Sequence, residues 1–264
     1  MERPVGIFDS GIGGLTVLRE LRDSISGEQY LYFGDTGRVP YGNKGKLTVT
    51  RYSVEIANYL LMNHDIKALV VACNTASSLA VEGLQKLYRI PVFEVVSPAV
   101  AKAVAETKNG RIGVIGTSST IRSNTYKRMI RSQNKHIKVF QKACPLFVPL
   151  VEEGWVDHPV TEMVVLEYLS FLKKNRVDTL ILGCTHYPFI RSRVEAYLGE
   201  GVTIIDSAMN VVIEVEKYLR SHDLVRIGKK KDIRYLVTDD PDKFREHGER
   251  LLGERPIDVV QVTL

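Results

Sequence analysis

The chain repeats itself. Ile66-Lys67-Ala68-Leu69-Val70-Val71-Ala72-Cys73-Asn74-Thr75 is echoed by Val177-Asp178-Thr179-Leu180-Ile181-Leu182-Gly183-Cys184-Thr185-His186; each is a strand-like apolar run ending in a small residue, a cysteine and two polar residues. An earlier pair repeats the relation: Gly6-Ile7-Phe8-Asp9-Ser10-Gly11 and Gly113-Val114-Ile115-Gly116-Thr117-Ser118 both run from a strand into a polar loop. Sixty-four residues separate Asp9 from Cys73 and 67 separate Thr117 from Cys184, so the two halves keep nearly one register. Two similar lobes are expected.

The local pattern gives each lobe its class. Short β-rich runs at 5–8, 30–33, 68–72, 92–96, 112–115, 137–140, 179–182, 203–205 and 233–237 alternate with stretches at 15–21, 54–62, 79–87, 164–172 and 211–219 that place apolar residues three or four apart. Such alternation predicts α/β architecture, with each lobe a mostly parallel sheet flanked by helices. The lobes are expected to face each other about a pseudo-twofold with the active site between them. The step at Pro98-Ala99 is read as the crossing into the second lobe and Asp206-Ser207 as the return. This assigns residues 1–97 plus 207–264 to the first lobe and 98–206 to the second.

Composition narrows the function. With 44% apolar and 25% charged residues in 264, the chain has material for a packed core and is neither disordered nor fibrous. The longest apolar stretch, Ala68–Cys73, is far short of the ~20 residues that span a bilayer. The start, Met1-Glu2-Arg3-Pro4, lacks a signal-peptide pattern, so a cytoplasmic location is expected. The net charge is +5, but only Lys229-Lys230-Lys231 forms a basic run, and no nucleic-acid partner is expected. Three cysteines, Cys73, Cys144 and Cys184, fit reactive or packed thiols better than a disulfide framework.

Ligands of open parallel sheets sit at the carboxyl ends of the strands, where loops and helix N-termini offer free N–H groups. Asp9, Cys73, Thr117 and Cys184 all fall at such ends. Facing lobes would therefore put a thiol on each wall of one cleft, an arrangement suited to a substrate attacked from two faces. A helix starting after Cys73, capped by Thr75 or Ser77, would favour the thiolate there. Cys144 has no counterpart in the first half and is read as structural.

Other chemistries fit poorly. Asp9-Ser10-Gly11-Ile12-Gly13-Gly14 is close to a dinucleotide loop, but Thr16 stands where the third glycine belongs, and no Gly-Lys-Ser/Thr follows for a P-loop. Ile190 occupies the position where a cysteine phosphatase needs arginine. Cys184 and His186 would alternate sides on an extended chain, which argues against zinc. His64, His136 and His158 have no evident partners and are read as surface residues.

Taken in order, Asp9 through Val17, Gly34-Asp35 with Pro40-Tyr41-Gly42, Ala72 through Ala76, Gly116 through Thr120 with Ser123 and Tyr126, Pro149 through Glu152, and Gly183 through Pro188 resemble the glutamate racemases of the aspartate/glutamate racemase superfamily. The resemblance implies a two-base racemisation without cofactor or metal, serving peptidoglycan synthesis. One cysteine would remove the α-proton and the other deliver a proton to the opposite face. It implies catalytic roles for Cys73, Cys184, Asp9, Glu152 and His186. It also implies substrate contacts from Asp9, Ser10, Tyr41, Gly42, Asn74, Thr75, Thr117, Thr120, Thr185 and His186. Asp35, Ser10 and the threonines equally suit turns and helix caps. The chain departs from the pattern at Glu94, where family members commonly carry a small residue. Aspartate racemase and a non-catalytic amino-acid sensor are the alternatives. Aspartate enzymes typically show an acidic residue where this chain has His186. The expected partner is glutamate, with a second copy of the chain in a homodimer and no membrane association.

Overall fold

The computed structural model describes residues 3–25, 27–226, 232–253, 256 and 258–264; the Lys229-Lys230-Lys231 run lies outside them. The strands are β1 (Val5–Asp9), β2 (Gln29–Gly34), β3 (Ala68–Val71), β4 (Val92–Glu94), β5 (Arg111–Gly116), β6 (Lys138–Ala143), β7 (Thr179–Gly183), β8 (Thr203–Asp206), β9 (Asp232–Val237) and β10 (Val259–Gln261). They form two sheets, ordered β10-β9-β2-β1-β3-β4 and β6-β5-β7-β8, with every pairing parallel. Helices flank both sheets.

The internal echo is visible as topology. The order β2-β1-β3-β4 in the first sheet is the order β6-β5-β7-β8 in the second, so β3 and β7 are equivalent strands and each leads directly into its cysteine. Both are four- or five-residue runs buried along their whole length. That is why they read as continuous apolar segments rather than alternating ones.

Several boundaries differ from the sequence reading. The run expected as a strand over 92–96 stops at Glu94, and Val96 already opens the helix Val96–Glu106. The buried Glu94 carboxylate accepts the Val96 and Ser97 N–H groups at 2.5 and 2.7 Å and the Ser97 hydroxyl, so it holds the chain in its turn from β4 into that helix. The helix expected over 79–87 is two helices, Asn74–Leu79 and Val81–Leu87, divided at Ala80. The helix Pro241–Leu252 and the edge strand β10 were not anticipated. Beyond β8, the helix Ser207–Ser221 starts on an Asp206 cap, whose carboxylate accepts the Ala208 N–H at 2.8 Å.

At the amino edge of the first sheet, Lys67, which enters β3, is held by a buried ion pair. Its ammonium donates to Glu28 Oε2 at 2.8 Å and to the Leu224 carbonyl at 2.6 Å; the other Glu28 oxygen accepts the Gln29 N–H at 2.8 Å. The side chains of Lys67 and Glu28 are 4% and 0% exposed, so neither charge can turn to water if its partner is lost. Removing one member of such a pair costs ~3–5 kcal/mol. Lys67→Met is therefore expected to lower the unfolding free energy in urea by that amount, and a loss below ~1 kcal/mol would show that the pair does not anchor β3.

Candidate active site

The carboxyl ends of both sheets open on one cleft of about 340 Å³, within the range of small-molecule sites. Cys73 and Cys184 line it together with Ser10, Tyr41, Gly42, Asn74, Thr75, Thr117, Glu152, Thr185 and His186. Two sequence-predicted residues stand behind the wall instead. Asp9 is fully buried; its carboxylate accepts the Gly11 N–H at 2.8 Å and the Thr185 hydroxyl at 3.5 Å. Thr120 is reached only through a cluster of three hydroxyls: Thr75 to Thr117 at 2.9 Å, Thr75 to Thr120 at 3.2 Å and Thr117 to Thr120 at 3.0 Å. Thr75 follows a strand of the first sheet and the other two a strand of the second, so this cluster joins the walls.

Cys73 is the N-cap residue of Asn74–Leu79, with its sulfur 3.7 Å from the Ser10 hydroxyl. The expected cap by Thr75 or Ser77 is not made: Thr75 bonds across the cleft, and Ser77 donates to the Val71 carbonyl at 2.9 Å. The expected thiolate bias is overturned as well. Burial first and the nearby Asp9 charge second push the Cys73 thiol up to about 12, against the Ala76 N–H and Ser10 hydroxyl that favour the anion. A six-residue helix carries too little dipole to offset loss of hydration.

Cys184 meets a different environment. After β7 the chain turns into the short 3-10 helix Tyr187–Ile190, and this turn brings His186 Nδ1 to 3.9 Å from Cys184 Sγ. The expectation that the two side chains point apart holds only for an extended chain and is corrected here. His186 Nε2 lies 3.0 Å from Glu152 Oε1, which completes the line Cys184–His186–Glu152. Burial alone would push the imidazole's pKa down, but its bonds to Cys184 and Glu152 outweigh that and hold it at about 10. Burial opposes the Glu152 charge too, yet the imidazolium keeps its carboxyl below the usual range. Gly13 makes room for this line, because a Cβ there would overlap Thr185 Oγ1 and His186 Nδ1.

These paired strand ends have close counterparts. The family model of Asp/Glu/hydantoin racemases matches residues 16–213. The glutamate racemase of Geobacter metallireducens is 49% identical over 99% of this chain and 97% of its own. The crystal structure of glutamate racemase isoform RacE1 from Bacillus anthracis superposes with a TM-score of 0.95 at 38% identity, covering 99% of this chain and 98% of that one. That of the Francisella tularensis glutamate racemase in complex with D-glutamate superposes at 0.93 and 36%, with the same coverage.

The chain belongs to the Asp/Glu/hydantoin racemase family. A racemase is an isomerase, and this one carries the two lobe-paired thiols on opposed walls of its cleft.

The cleft of this racemase is also lined by Val39, Pro40 and Asn43 and by Ser118, Pro145, Val148 and Pro149, none of them expected as site residues, although Pro40, Ser118 and Pro149 stand in the recognised segments. Asp35 organises the first group. Fully buried, it accepts the Tyr41 hydroxyl, the Arg38 Nε at 2.8 Å and the Thr238 hydroxyl at 3.0 Å, so it does more than shape a turn. Gly42 lets this loop touch the second lobe, where a Cβ would come within 2.7 Å of Thr117 Cβ. Cys144 is buried in the core, as expected of a structural thiol, and burial raises its pKa. His136 and His158 are exposed, the latter capping Pro159–Lys174, whereas His64 is half-buried. Among the described residues no three His, Cys, Asp or Glu side chains converge as metal ligands, and no helix is long and apolar enough to cross a membrane.

The Cys73 environment gives a pH test. A thiol alkylates as its thiolate, so below its pKa the rate rises about tenfold for each pH unit. Iodoacetamide labelling of Cys73, resolved by peptide mass spectrometry, is expected to keep climbing from pH 8 to pH 10, about a hundredfold in all. A plateau near the ordinary thiol value of ~8.5 would contradict the burial argument.

Proposed function

We propose that the protein racemises glutamate by two-base proton transfer, with Cys73 and Cys184 as the bases and no cofactor. The observation that carries the reading is the pair of thiols at equivalent strand ends on facing walls of one cleft. Cys73 takes the α-proton from D-glutamate and Cys184 from L-glutamate, the opposing thiol protonating the other face each time. Glutamate rather than aspartate is favoured by full-length identity near half to a glutamate racemase and by His186 in place of an acidic residue. The solved relative in complex with D-glutamate is of the same fold.

The α-C–H of an amino acid beside a carboxylate is very weakly acidic, so position, dryness and charge must supply the help. His186, a buried cation pinned by Glu152, stands beside one sulfur; Asp9, a buried carboxyl, acts on the other. The Cys73 thiol, protonated at neutral pH, is poised as the acid when Cys184 is the base. Ser10, Asn74, Thr75, Thr117 and Thr185 offer polar groups to the substrate's charged ends, with Thr120 supporting Thr75 and Thr117 from behind. The two lobes that close on the substrate are residues 1–97 with 207–264 and residues 98–206. The reading places the enzyme in the cytoplasm, supplying D-glutamate for peptidoglycan, and includes association as a homodimer.

Each enantiomer of glutamate and of aspartate, incubated with purified protein and resolved by chiral chromatography, tests this. Both glutamate enantiomers should reach the racemate without added cofactor, with kcat/KM at least ~100-fold above aspartate, because the shorter acid leaves buried polar groups unpaired. Cys73→Ala and Cys184→Ala should each reduce both directions by ~10³-fold or more while the protein stays folded. Cys184→Ala turning over at wild-type rates would reduce that residue to a packed thiol.

A further inference from the structure

The Asn74 amide sits between the two cysteine-bearing strands, and its hydrogen bonds follow a fixed order. Ser207 Oγ donates its one proton to the Leu182 carbonyl at 2.9 Å. Toward Asn74, 3.0 Å away, it can therefore only accept. This settles which end of the amide is which: the NH₂ group faces Ser207, and its second proton goes to the Tyr126 hydroxyl at 2.8 Å. Both protons of the amide are thus used, and so is the Ser207 proton. The atom left over is Asn74 Oδ1, buried and without a partner, on a residue 2% exposed that lines the cleft. A zwitterionic amino acid has carboxylates, which only accept, and one strong donor, its ammonium.

We infer that Tyr126 and Ser207 are positioning residues: they lock the Asn74 amide so that Oδ1 is presented to the substrate ammonium. Neither lines the cleft. Tyr126 belongs to the helix Thr125–Gln133 beside the second sheet, and Ser207 opens the helix that follows β8. Asn74 is the neighbour of Cys73, and Leu182 lies two residues before Cys184. These two bonds from Asn74 thus tie the orientation of the ammonium site to the register of both bases. A buried acceptor left unpaired in the free enzyme is a standing cost that binding an ammonium relieves.

The inference rests on the racemase reading, and the test is a double-mutant cycle on the full-length enzyme with glutamate as substrate. Tyr126→Phe keeps the ring and frees the amide to turn, so KM should rise about tenfold with kcat changed much less. In an Asn74→Ala background, where no amide remains to orient, the same substitution should change KM less than about twofold. Ser207→Ala should behave like Tyr126→Phe, and Ser207→Thr, which keeps the hydroxyl, should restore KM. Equal KM effects in both backgrounds, or none in either, on an enzyme that racemises glutamate would overturn the positioning role and leave the reaction assignment intact. A wild-type protein that racemises nothing would instead fail the reaction assignment. If Tyr126→Phe yields little folded protein by thermal melting, the two Ser207 variants decide the same question.

Discussion

A parallel sheet leaves unpaired backbone N–H and C=O groups at the carboxyl ends of its strands, and those groups must be met by loops, helix starts or ligand. In this protein that constraint acts twice, because the order β2-β1-β3-β4 of one sheet recurs as β6-β5-β7-β8 in the other. Equivalent positions just beyond β3 and β7 are both cysteines, so facing the sheet ends across one cleft brings the two sulfurs to opposite walls. Most other features of the site follow from keeping this arrangement dry and in register. The Glu28–Lys67 pair fixes the entry to β3, the Glu94 carboxylate fixes the turn out of β4, and the Thr75–Thr117–Thr120 hydroxyls fasten the walls to each other.

The equivalence of the walls is one of position and not of environment. Cys73 has a serine hydroxyl and a buried carboxyl for neighbours, and burial leaves its thiol protonated. Cys184 has a histidine held as a cation by Glu152. Two lobes alike in outline thus present one wall dressed as an acid and one with a fixed positive charge. The proposed two-base reaction would use that asymmetry, since in it the substrate's proton faces a different wall in each direction. His186 also ties local charge to stability. Its folded pKa lies above the free value, so its ion pair contributes fully below pH ~6.5 and is lost as pH rises through about 10.

How much of this could be read beforehand depended on range. The strands carrying Cys73 and Cys184 were legible because fully buried parallel strands need unbroken apolar runs, and the internal echo placed them equivalently. The Ala80 break between two helices was not, for no glycine or proline marks it. Nor was β10, a three-residue strand whose only neighbour among the described residues is β9. At the site, periodicity treated Cys184 and His186 as members of an extended chain, and the 3-10 turn that unites them is a tertiary effect. At Cys73 the helix dipole acts in the expected direction and is outweighed, because burial could not be known from spacing. Tyr126 stood in the recognised pattern, but its bond to Asn74 crosses 52 residues of sequence.

The central claim is that each face of the substrate is served by its own thiol. Racemisation in D₂O, followed by mass spectrometry of the separated enantiomers at early times, tests it most directly. Two separate thiols should put solvent deuterium at Cα of the product enantiomer while recovered substrate stays protiated, in both directions. Substrate that gains deuterium as fast as product, or product that retains the original proton, would show one base working both faces and would contradict the claim.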